Sequence, residues 1–129
     1  MKIRRYAAAV ATTAAAATLL VTASGAAHAD TYRSKNLVPG EQYCVAQLAD
    51  YQVRGDGTAS RDGAKFKLRK SGTTWVIAGS PGLVNIFAAE GRSSLGTFLG
   101  QGSYELCATN NGVRDTFVTL RIRSDGEFR

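Results

Sequence analysis

The sequence predicts an all-β domain, a small antiparallel β-sandwich or small barrel of about seven strands. Three observations carry this reading. Short runs after residue 29 alternate apolar and polar side chains with a period of two; Gly, Pro, Asn and Asp punctuate them at close intervals; and no helical period of useful length occurs among them. Strands patterned in this way bury one face each against a second layer.

Residues 30–40 are polar and close on Pro39-Gly40, a turn signal. Residues 41–54 then alternate, placing Tyr43, Val45, Ala49, Tyr51 and Val53 on one face of a strand bent near Asp50. Residues 55–63 hold three glycines and no large apolar side chain, so they read as a loop with tight turns at Asp56-Gly57 and Asp62-Gly63. In residues 64–70, Phe66 and Leu68 face inward while Lys65, Lys67 and Arg69 face outward. Ser71-Gly72 turns that run into residues 73–78, and the two make a hairpin. Gly79-Ser80-Pro81-Gly82 breaks the chain. Residues 83–89 are more continuously apolar, and the nearby Pro and Gly favour a short central strand over a buried helix. Residues 90–102 read as one short strand between two glycine-rich turns. Residues 103–109 set Tyr104, Leu106 and Ala108 on one face, and Asn110-Asn111-Gly112 reads as a hairpin turn. In the last strand, 113–123, Phe117 is out of phase with Val118, Leu120 and Ile122, and 124–129 read as a frayed polar tail.

Residues 1–29 read as a cleaved signal peptide. Lys2, Arg4 and Arg5 precede an Ala-rich apolar run, and Ala27-His28-Ala29 is a small-x-small cleavage site. The expected product is one secreted domain, residues 30–129, with no stable membrane insertion. Eleven of the sixteen basic residues are Arg, and Ala and Gly are abundant, a mix that suggests a bacterial source. The leader carries three basic residues and no acidic one, so thirteen against ten leave +3 in place of +6. That balance is not a nucleic-acid signature, and no nucleic-acid partner is expected.

Cys44 and Cys107 are the only cysteines, and in an oxidising compartment they are expected to form a disulfide. Closing a loop of that length stabilises a small domain by about 4 kcal/mol in the chain-entropy picture. Both cysteines lie out of phase with the apolar residues of their strands. The bond is therefore expected on the outer surface of one sheet, joining the first and penultimate strands as neighbours. Residues 102–112 resemble the second-cysteine strand of immunoglobulin domains in their strand chemistry. Their spacing departs from that pattern: Tyr104 precedes Cys107 by three residues rather than two, and Trp75 follows Cys44 by 31.

The leader also takes away His28, the single histidine. Without it the domain cannot assemble Ser-His-Asp, Cys-His or a histidine metal site, and no metal or cofactor is expected. Carboxylates remain, as in glycoside hydrolysis, but Asp56, Asp62, Asp115 and Asp125 sit in turn-like segments that account for them. The segment 56–62 alternates oxygen ligands as a calcium loop does, yet Arg61 stands where an EF-hand needs Gly and Lys67 where it needs Glu. Two binding candidates are left. Lys65, Lys67 and Arg69 would form an electropositive strip for an anionic envelope polymer or an acidic protein. Arg92-Ser93, in an exposed loop, would enter the cleft of a target enzyme. The reading is a secreted, non-catalytic binding module for an extracellular protein or envelope polymer. Its alternative is a proteinaceous inhibitor of an extracellular hydrolase or protease, and a small carboxylate-based hydrolase stands third.

Overall fold

The computed structural model describes residues 30–127, so the leader and its cleavage after Ala29 lie outside the described residues. Eight strands follow in order: β1 (Asp30–Leu37), β2 (Gln42–Ala49), β3 (Gln52–Ala59), β4 (Lys65–Lys70), β5 (Val76–Gly79), β6 (Ile86–Arg92), β7 (Gly102–Thr109) and β8 (Thr116–Ser124). They form two antiparallel four-stranded sheets, ordered β1-β8-β3-β6 in the first and β2-β7-β4-β5 in the second. Every connection except β4–β5 carries the chain from one sheet to the other. This is the all-β sandwich expected from the alternating runs.

The core lies between the sheets. Val53 on β3 and Val118, Leu120 and Ile122 on β8 face Phe66 and Leu68 on β4 and Tyr104, Leu106 and Ala108 on β7, all with almost no exposure. Phe66 stacks on Phe87 with ring centroids 5.4 Å apart. The phase read for β4, β7 and β8 holds, and Phe117 points to solvent.

Residues 55–57 belong to strand β3 and are not a loop. Gly55 and Gly57 face inward, and a Cβ at Gly57 would lie 2.5 Å from Phe66 Cε1, while one at Gly55 would meet Leu106 and Leu68 at 3.3 Å. Their missing side chains make room for a large one from the opposite sheet. The second turn, at Asp62-Gly63, does form: Gly63 N donates to Ser60 O at 2.9 Å with Gly63 at φ +89°.

Other segments differ from their sequence reading for identifiable reasons. Residues 41–54 are two strands in different sheets; the chain crosses at Asp50-Tyr51, which leaves Tyr51 half exposed. Residues 30–37, polar as they are, form β1, because one edge strand with one buried residue, Leu37, needs little apolar pattern. Asn110-Asn111-Gly112 makes no hairpin. The buried Asn110 amide donates to Leu37 O at 2.9 Å and Arg114 O at 2.8 Å, and these bonds steer the chain from β7 into the other sheet. Residues 83–89 contribute an edge strand, not a central one, with Ile86 outside and Phe87 inside. No strand interrupts residues 93–101. Within the segment read as a frayed tail, Asp125 is tied, accepting from Asp50 N at 2.9 Å and Tyr51 N at 3.0 Å.

Cys44 and Cys107 are joined and stand directly opposite each other on β2 and β7, with Cα atoms 4.0 Å apart. Tyr43, Val45, Leu106 and Ala108, their neighbours along each strand, pack in or against the core. The bond thus lies on the outer face of the second sheet, as the phase of the two strands predicts.

The close approach at β3 has a measurable consequence. Gly57→Ala forces the Phe66 ring to move in a filled core and is expected to cost about 1–3 kcal/mol. Gly82→Ala, with nothing within 4 Å of the added methyl, should stay within about 0.5 kcal/mol of the parent. Urea unfolding of the two variants checks both values.

Candidate functional site

The connection from β6 to β7 is the longest stretch without a strand among the described residues, and its backbone is tied down along its length. A single 3-10 turn (Ser93–Leu95) opens it and ends at Gly96 in the left-handed region, φ +72°. Ser93 holds the carbonyl of Tyr51 twice, through its N–H at 3.0 Å and its hydroxyl at 2.6 Å. Arg92 and Thr97 close the base: Thr97 N donates to Arg92 O at 3.1 Å, and Arg92 N donates to Thr97 Oγ1 at 2.9 Å. Farther along, Gln101 donates to Asp50 Oδ1 at 2.7 Å, and the Tyr104 hydroxyl donates to Gly100 O at 2.5 Å. Burial pushes the Tyr104 phenol above its ordinary pKa. Phe98 stacks on the Tyr104 ring at 5.2 Å. What emerges from this frame is Ser94-Leu95-Gly96, with Leu95 65% exposed.

Arg92 and Ser93 therefore sit at the base of the loop and not at its crest. The Arg92 side chain lies back along the sheet, with Nε 3.0 Å from Glu90 Oε2. The sequence reading gave the crest residue Leu95 no role and set Tyr51, half exposed beside the loop, on an inward strand face. A lone leucine between Ser-Ser and Gly-Thr, with no partner at strand spacing, is the signal that marks the crest.

The outer face of the first sheet carries a ladder of alternating charge. Asp30 takes both arms of Arg121, at 3.0 and 2.7 Å; Asp56 binds Arg54 at 2.9 Å and Arg123 at 3.1 Å; and Glu90 binds Arg54 at 3.3 Å. Burial alone would raise the Asp56 carboxyl, but hydrogen bonds from Arg54 and Arg123 outweigh it and hold the pKa below the usual range. The Arg121 hydrogen bond does the same for Asp30. Beside the ladder lies an open groove of about 370 Å³, lined by Tyr32, Thr58, Ile86, Thr119 and Arg121. Asp56 is its one lining carboxylate and is already engaged by arginines, so this groove lacks the facing pair that glycoside hydrolysis needs.

On the outer face of the second sheet, Lys65, Lys67 and Arg69 project as expected but are not equivalent. Arg69 is paired with Glu105, Lys65 Nζ donates to Ser80 O at 2.5 Å, and Lys67 lies in register with Cys107. Of the strip's charge, Lys67 keeps the freest share. Among the described residues, the cluster of metal-type donors is Cys44, Cys107 and Glu105, whose two sulfurs are spent on the disulfide. The segment 56–62 is no calcium loop either: Asp56 faces arginines on a strand, and Asp62 accepts from Arg114 at 2.8 and 3.1 Å.

The ladder sets the acid response. A carboxyl held below its unfolded pKa contributes stability that is complete above about pH 5 and is lost as the pH falls through about 4 and below. The protein is expected to hold its stability from neutral pH to about pH 5 and to lose it on further acidification. Asp56→Asn should be less stable at neutral pH yet lose less between neutral pH and about pH 3. Urea midpoints across that range check the difference in slope.

No family model matches the chain, and no curated protein is similar to it in sequence. Among solved structures it is similar in fold to PliG of Aeromonas hydrophila, described as a periplasmic lysozyme inhibitor of g-type lysozyme. The TM-score is 0.55 at 11% identity, over 81% of this chain and 91% of that one. A PliG mutant from Escherichia coli aligns over 81% of this chain and 95% of its own, at 14% identity and a TM-score of 0.43. Among the described residues, no helix is long and apolar enough to cross a membrane.

Proposed function

We propose that the chain is an exported, non-catalytic inhibitor of an extracellular hydrolase, of the class that cleaves cell-wall glycans, and that residues 93–101 enter the enzyme's cleft. The observation that carries this reading is the pre-ordered loop. Its ends are held by Ser93, Thr97, Gln101 and Tyr104, and its crest offers an apolar anchor in Leu95. A loop already fixed by its scaffold gives up little freedom on binding, and an exposed apolar residue at its crest supplies area that only a partner can cover. The likeness in fold to PliG supports a lysozyme as the first enzyme to try. Arg92, turned back to Glu90, serves the base of the loop in this reading.

The test uses the oxidised protein recovered after export, titrated against a g-type lysozyme, other lysozymes, and trypsin-like and subtilisin-like proteases. Stoichiometric inhibition of a lysozyme is expected, with Leu95→Asp weakening it at least about tenfold and Lys67→Glu leaving it unchanged. Failure to inhibit any of these enzymes, rapid cleavage after Arg92, or full inhibition by Leu95→Asp overturns the reading.

A further inference from the structure

Sheet edges expose unpaired backbone groups, and proteins usually guard them. Three of the four edges here are guarded. On β1, Arg33 and Lys35 share the face of buried Leu37, and this strand reaches over to the β2 side through Thr31–Gln47 at 2.8 Å and Lys35–Glu41 at 3.2 Å. β5 is only four residues long, pairs across a register shift, and is followed by Pro81. The fourth edge, β6, is guarded least: residues 84–89 contain no charge, Ile86 is 77% exposed, and the strand's two charged residues, Glu90 and Arg92, are spent on each other and on Arg54.

The hydrogen-bond register of β6 shows which groups are open. Asn85 O accepts from Ala59 N at 2.9 Å, so the odd-numbered residues direct their N–H and C=O groups at β3. Even-numbered residues face away. Val84 exchanges both bonds with Ala64 at 3.0 Å, and Arg92 is closed by Thr97. Ile86, Ala88 and Glu90 are left between these stops, three open positions centred on Ala88. A run with this spacing is its own complement: turned about a two-fold axis through Ala88, it sets Ile86 against Glu90, Ala88 against Ala88 and Glu90 against Ile86. Glu90 brings no uncompensated charge to that pairing, being bound to Arg54 and Arg92. Alanine at the axis leaves nothing to clash.

We propose that two copies of this chain associate through β6, antiparallel and about a two-fold axis at Ala88, to make one continuous eight-stranded sheet. The contact is isologous and closes on itself, so it stops at the dimer. It leaves the 93–101 loops of both copies outside the shared strand pair.

Sedimentation equilibrium of the oxidised protein, from roughly 10 μM to 1 mM, is the experiment. The expected mass rises with concentration toward twice that of one copy. Ala88→Pro removes an N–H that points away from β3, so the fold keeps its ladder while the dimer loses its centre; this variant should stay monomeric throughout. Ala88→Lys places like charges against each other at the axis and should do the same, with near-ultraviolet circular dichroism reporting the native fold for both. A parent that is monomeric at every concentration, or variants that dimerise as the parent does, overturns the proposal. So does a monomeric parent whose binding to a target enzyme is lost in Ala88→Pro, which would assign the edge to a foreign strand. Leu95→Asp should leave the dimer intact, so the outcome stands apart from that of the inhibition assay.

Discussion

The two inward glycines of β3 set the distance at which the sheets meet. With no side chains at Gly55 and Gly57, the Phe66 ring lies against the backbone of β3, and Leu68 and Leu106 fill the space beside it. Phe87 then closes over Phe66 from the next strand. A domain of this size has one modest core, and here that core depends on a large residue of one sheet fitting a gap left in the other. The positions of β4, β6 and β7 all follow from that fit, and so does the place of the loop that joins β6 to β7.

Local alternation was enough to read the strands whose two faces differ sharply. Phe66 and Leu68 against Lys65, Lys67 and Arg69, or Leu106 and Ala108 against Glu105 and Cys107, leave no doubt about which side is inward, and the outer placement of the disulfide follows from the same phase. What escaped was information held by distant partners. The strand character of Gly55-Asp56-Gly57 is decided by Phe66 and Arg123, and the sheet change after β7 by the bonds Asn110 makes to Leu37 and Arg114. Asp125 looks like a tail residue until the amides of Asp50 and Tyr51 are brought to it. In the candidate site, the glycine-rich turns were legible, but the short strand read between them does not form. The rigidity of the loop was not legible, because Ser93 and Gln101 act on residues 42 and 51 positions away.

The two outer faces show different uses of charge. On the first sheet, arginines and carboxylates satisfy one another in a ladder and leave a nearly balanced, ordered surface beside an open groove. On the second, the basic strip is partly consumed by Glu105 and by the Ser80 carbonyl. Electrostatics of this kind positions and orders side chains more than it attracts a polyanion. Exposed apolar side chains remain outside this charge pattern, Leu95 at the loop crest and Ile86 on the β6 edge among them.

The alternation of the chain between layers governs how the molecule reaches its native state. Among the eight described strands, only β4 and β5 are neighbours in both sequence and space, so among them one hairpin forms from adjacent segments. Every other pairing waits for segments tens of residues apart to meet, and folding dominated by such distant contacts is slow, on the scale of about milliseconds to seconds. The thiols of Cys44 and Cys107 belong to two of these late partners, 63 residues apart. Once oxidised, they hold β2 against β7 and spare each later folding attempt the widest part of the search within the second sheet. The bond acts on the kinetics of folding as well as on the final stability of the domain.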